Sequence, residues 1–70
     1  MKIEIKSIGF DSWGREVFQT KKGSLLCDVN LDYSHKNMRL HTKIYNDFDG
    51  EPDFPVKTER FIIVDEFTND

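Results

Sequence analysis

The chain has a single cysteine, Cys27, so no disulfide can form within it. No second cysteine or paired Cys/His spacing offers a structural zinc site. Only two prolines occur, Pro52 and Pro55, both in one acidic stretch. No apolar run approaches the ~20 residues of a membrane-spanning helix. The opening residues, Met1-Lys2-Ile3-Glu4-Ile5-Lys6, alternate charge with apolar side chains and hold no signal-peptide core. An unpaired thiol without an export segment points to a cytoplasmic protein that contacts no membrane. Also missing are a glycine-rich phosphate loop, an HExxH pair and a GxSxG elbow. Cys27 falls among Leu25, Val29 and Leu31 on an apolar strand face, where a thiol behaves as a small hydrophobe. His35 and His41 belong to other segments, so no nucleophile–base pair can be assembled from the sequence. A chain this short is also expected to have little room for the ~300 Å³ pocket of a small-molecule site. Together these absences point away from an enzyme, and no cofactor is expected.

What is present is enough for one small domain, residues 1–70, since seventy residues cannot support two hydrophobic cores. Apolar residues make up 37% of the chain. Without disulfide or metal, stability must come from that fraction or from self-association. Eight basic residues stand against five acidic ones through Asn46, and two against eight from Asp47 onward, for a net charge of −3. Solvated surface charge explains such an imbalance more readily than a bipolar binding surface.

Period-two alternation is the main structural signal. Ile3 and Ile5 alternate with charged residues, then Ile8 and Phe10 fall on the other parity, which calls for a bulge near Ser7 or a switch of faces at a barrel corner. Asp11-Ser12-Trp13-Gly14 has turn composition. A second strand is predicted over Arg15–Thr20, and Lys21-Lys22-Gly23 fits a hairpin loop. Leu25, Cys27, Val29 and Leu31 line the inward face of a third strand. Met38, Leu40, Thr42 and Ile44 do the same on a fourth. A fifth is predicted over Thr58–Phe67, and its run Phe61-Ile62-Ile63-Val64 suits a central or doubly covered position. No segment has helical spacing. The expected fold is all-β: about five antiparallel strands in a meander that curls into a small barrel or sandwich. Leu25, Val29, Leu40, Ile44, Phe61 and Ile63 are its expected buried set.

Three features compete as sites. The stretch 46–55 gathers Asp47, Asp49, Glu51 and Asp53, and clustered oxygens suit a divalent cation. An EF-hand register fails, because with Gly50 as the invariant glycine the first and last ligands fall on Tyr45 and Val56. Alternating carboxylates on extended backbone also point apart. A connection pinned to the body by Phe48 and Phe54 and stiffened by its prolines is the better reading. On the fourth strand Arg39, His41, Lys43 and Tyr45 share the outward face, with Lys36 nearby. Such a strip could follow a single-stranded nucleic acid backbone and stack a base. The acidic pI of 5.2 opposes this. Trp13, in its turn, could anchor a partner, though a cap on one end of the core is the more common use of such a residue.

The favoured function is therefore non-enzymatic contact with a protein partner or a second copy of the chain. Its motive is the apolar surplus on the second strand faces, Phe18, Leu26, Ile62 and Val64, which one singly covered sheet cannot bury. Nucleic-acid binding is the alternative, and cation binding by the acidic loop ranks third.

Overall fold

The alternation resolves into six strands in a computed structural model, which describes residues 2–69. They are β1 (Ile3–Phe10), β2 (Glu16–Thr20), β3 (Leu25–Asp28), β4 (Leu40–Lys43), β5 (Pro52–Pro55) and β6 (Phe61–Ile63). Single 3-10 turns, Ile44–Asn46 and Thr58–Arg60, precede β5 and β6. The fold is all-β, as the sequence predicts. β1 to β4 form the expected antiparallel meander, which the unexpected β5 extends, while the predicted fifth strand, β6, pairs parallel and not antiparallel, on the far side of β1. The resulting order is β5-β4-β3-β2-β1-β6, in one mixed sheet that stays open rather than closing into a barrel.

The parity slip in β1 is a bulge, with the pairing to β2 shifting between Ser7 and Gly9. Gly9 sits there at φ 132°, a conformation L side chains rarely adopt, and the Phe48 ring lies 3.5 Å from where its Cβ would stand. The backbone conformation is what calls for glycine, and the Phe48 ring packs over it at ordinary contact distance. The 11–14 and 21–23 turns close as composition suggests, with Gly14 and Gly23 at positive φ.

On β3 the main core forms on the face opposite the one expected, whereas Leu40, Phe61 and Ile63 belong to it as predicted and Leu25 is buried. Ile5, Phe18, Leu26 and Leu40 make one buried cluster, against which Met38, Val56, Phe61 and Ile63 pack. Phe18 and Leu26, read from sequence as surplus on a second face, are its centre. Every residue of β3 is buried, so Leu25 and Cys27 are covered on the other side as well. Alternation marks which residues share a face; it does not say which of two apolar faces is the larger core. Val29 lies past the end of β3 and is half-buried, as is Ile44 where the chain leaves β4 for a 3-10 turn.

Two other expectations are corrected. Pro52–Pro55 is not a connection but an edge strand, the place in a sheet that tolerates prolines. Phe48 pins the acidic segment against Gly9, whereas Phe54 is 69% exposed and pins nothing. The apolar run 61–64 contributes the other edge strand rather than a central one, and Ile62 is 47% exposed. Its neighbour Val64 continues the pairing through a hydrogen bond from its N–H to the Ile5 carbonyl, 2.9 Å. Among the described residues no helix is long and apolar enough to cross a membrane.

Candidate functional site

The turn after β1 is organised by one buried carboxylate. Asp11 Oδ1 accepts the backbone N–H groups of Trp13 and Arg15, each at 2.9 Å, and Oδ2 accepts Arg15 Nε at 2.9 Å and Lys43 Nζ at 2.6 Å. The side chains of Asp11 and Lys43 are both fully buried. Lys43 Nζ also donates to the Gly50 carbonyl at 2.8 Å. Burial alone would raise the Asp11 carboxyl, but the hydrogen bonds from Lys43, from the Arg15 and Trp13 backbone and from the Arg15 side chain outweigh it. They hold the group at about 2, below its ordinary 3.8. Nearby, burial pushes the Cys27 thiol up, away from the reactive thiolate.

This network anchors the acidic segment as well. Ser12 donates its N–H and hydroxyl to Asp49 Oδ1, both at 3.0 Å. Gly50 comes so close to the chain that a Cβ would stand 2.7 Å from the Ile44 carbonyl oxygen. Asp49 is thereby a tether, and Asp47 accepts the Asp49 N–H. Glu51 and Asp53 are exposed. Among the described residues no group of three or more His, Cys, Asp or Glu side chains converges as a metal-ligand set.

A second buried carboxylate fixes the 29–39 loop. Asp28, 1% exposed at the end of β3, accepts the N–H groups of Asn30 and Arg39 on Oδ1 and of Asp32 on Oδ2. Asp32 then accepts from Ser34 and Asn37, and these bonds hold its carboxyl below the usual range. The loop folds back on the sheet through His35, whose Nε2 lies 2.7 Å from Glu16 Oε1 and whose ring meets Phe18 edge-on. Ser7 donates to the other Glu16 oxygen at 2.7 Å. The carboxylate stands between serine and histidine, the wrong order for a histidine to activate a hydroxyl.

Around these two networks stand three exposed rings, two of them in contact. Phe10 and Tyr33 meet edge-on at 5.5 Å, and the Tyr33 hydroxyl donates to the Gly14 carbonyl at 2.6 Å. Trp13 stands on the same turn, one residue from Gly14. Phe10, Trp13 and Tyr33 are 55%, 63% and 55% exposed. Trp13 is therefore not the core cap expected. With Asp11 gathering the N–H groups of residues 13 and 15, the tight turn directs its indole outward, where the Arg15 guanidinium lies 6.0 Å from the ring centre.

The strip expected on β4 does not form. Arg39 is exposed ahead of the strand, His41 is half-buried, and Lys43 is buried in its pair with Asp11. Tyr45, 91% exposed, sits at φ 56° in the turn beyond. Phe10, Tyr33, Asp11 and Asp28 were missed as a group. The usable signal was the two aspartates ending strands before turn-forming residues, where a carboxylate commonly binds N–H groups two residues on.

An open groove of about 640 Å³, larger than expected for so short a chain, runs past Ile3, Glu4, Thr20, Lys21 and Thr68. Its described lining has no histidine or cysteine, and the Glu4 carboxylate is occupied by the Thr68 N–H and hydroxyl. Comparison with family models, curated proteins and solved structures finds no match to the chain.

Proposed function

We propose that this chain is a cytoplasmic, non-enzymatic domain that binds another protein through Phe10, Trp13 and Tyr33. One observation carries the reading: three large rings are more than half exposed while the backbone beneath them is tied down by Asp11, and by the Tyr33–Gly14 bond. Rings held rigid before contact lose little entropy on binding, and exposed aromatic anchors are the residues that dominate interface energies. A lone buried thiol supports the cytoplasmic assignment. The nucleic-acid reading loses its basic strip with the burial of Lys43, and the net charge of −3 opposes phosphate.

Trp13 is the sole tryptophan, so its emission reports directly on cover over this cluster. Proteins retained from host extract by the wild-type domain, and lost with Trp13→Ser/Tyr33→Ser, are purified and titrated against the wild type. The expected result is a blue shift of Trp13 emission that saturates with partner. Binders that leave the emission unshifted, or that bind the double variant equally well, overturn the reading. So does an equal shift with a single-stranded oligonucleotide at low salt.

A further inference from the structure

β6 carries a free edge with an unusual pattern. Because Val64 N–H donates to the Ile5 carbonyl, backbone alternation turns the N–H and C=O of Phe61 and Ile63 away from β1. The Phe61 N–H is taken by the Thr58 carbonyl. Ile63 is left with an outward donor and an outward acceptor, on a side where no described strand pairs with β6. Among the described residues, the chain after β6 does not pair with this edge. It turns back over β1, where the Phe67 ring lies 5.5 Å from Lys6 Nζ, and Thr68 reaches Glu4 and Lys21.

We propose that β6 pairs antiparallel with β6 of a second copy, across a two-fold axis at Ile63. In this register the two Ile63 residues exchange both backbone hydrogen bonds. Ile62, 47% exposed, comes opposite Val64 of the other copy. Arg60 precedes the strand and Asp65 and Glu66 follow it, so antiparallel pairing sets the cation of each copy against the acids of the other. Parallel pairing would set Arg60 against Arg60. The charge pattern therefore selects a second copy in one orientation, and a two-fold contact repeats each favourable pair twice. The surface is separate from the aromatic cluster, and the inference does not depend on that reading.

Sedimentation velocity from micromolar to millimolar concentration tests it. The wild type is expected to form dimers as concentration rises, with exchange of the Ile63 amide slowing in step. Arg60→Glu, at an exposed position, raises the dissociation constant by about tenfold or more, since two contacts turn repulsive in each dimer. Arg60→Glu with Glu66→Arg restores dimerisation, which a merely misfolded variant would not do. Trp13→Ser leaves it unchanged, separating this contact from the proposed partner site. A wild type that stays monomeric throughout, a dimer indifferent to Arg60→Glu, or one dissolved by Trp13→Ser overturns the proposal.

Discussion

At one edge of the sheet β5 ends on Pro55, which has no N–H to offer, amid Glu51 and Asp53; at the other, β6 presents Phe61-Ile62-Ile63 with a donor and acceptor at Ile63. Unpaired edges template further pairing, and proline with charge is the usual protection against it. The β5 edge has that protection, and the β6 edge lacks it. Their support differs too. β5 is hydrogen-bonded along β4, where Lys43 opposite Pro52 reaches the buried carboxylate of Asp11. β6 is held by β1 and by Phe61 and Ile63 packing on the core. One edge is thus positioned by a polar pair and closed to new strands. The other is positioned by apolar contact and left open.

The largest effect should come from breaking the polar support. Lys43→Met leaves Asp11 buried with its strongest partner gone, which costs about 3–5 kcal/mol when one member of a buried pair is removed. For a small domain that is a large part of a total of roughly 5–15 kcal/mol. Urea unfolding should therefore give a much lower midpoint, with exchange of the β4–β5 amides rising first. A solvated Lys43 on an outward strand face would instead leave the midpoint within ~0.5 kcal/mol of wild type.

That contrast shows what the sequence could and could not reveal. Period-two spacing was enough to find β1 to β4 and the all-β class, because apolar alternation is a local property. The pairing of Lys43 with Asp11 joins residues 32 apart, and nothing local distinguishes a buried lysine from a solvated one. β5 was hidden by its prolines and acids, which read as a loop until an edge position makes them compatible with a strand. The core face was ambiguous because β3 has apolar residues on both sides. Trp13 was misplaced since the hydrogen bonds that turn it outward converge on Asp11, whose burial was not visible.

A medium effect follows from acid. Asp11 titrates at about 2 in the fold against an ordinary 3.8, so the folded state favours its charged form. The associated stability, about 2 kcal/mol, is fully present above the unfolded-state value and is lost as pH falls through the folded value. Urea midpoints should thus decline between about pH 5 and about pH 2, and Asp11→Asn should flatten that decline while lowering the neutral-pH midpoint. Beside β6 the neighbouring carboxylate, Glu4 opposite Ile62, is not buried and is held by Thr68, so amide exchange at the β4–β5 edge should respond to acid more than exchange at β6. Equal responses at both edges would remove the distinction between polar and apolar support.

The smallest change in stability gives the sharpest test of the edges themselves. Pro55→Thr should cost only about 0.5 kcal/mol, chiefly through a less restricted unfolded chain. It nevertheless supplies β5 with an N–H and a β-branched side chain in place of the residue that denies both. With β6 already able to pair, such a molecule has two competent edges. Two-fold pairing at β6 alone closes after one partner, whereas pairing at both edges propagates without closing. Light scattering should therefore show the wild type stopping at dimer and Pro55→Thr growing into larger species, in a concentration-dependent way. If Pro55→Thr stops where the wild type does, the donor missing at Pro55 is not by itself what protects β5, which keeps Pro52. Pro52 and the acids Glu51 and Asp53 would then carry the protection, and Asp53→Thr added to Pro55→Thr should release the growth if the acids are what matters.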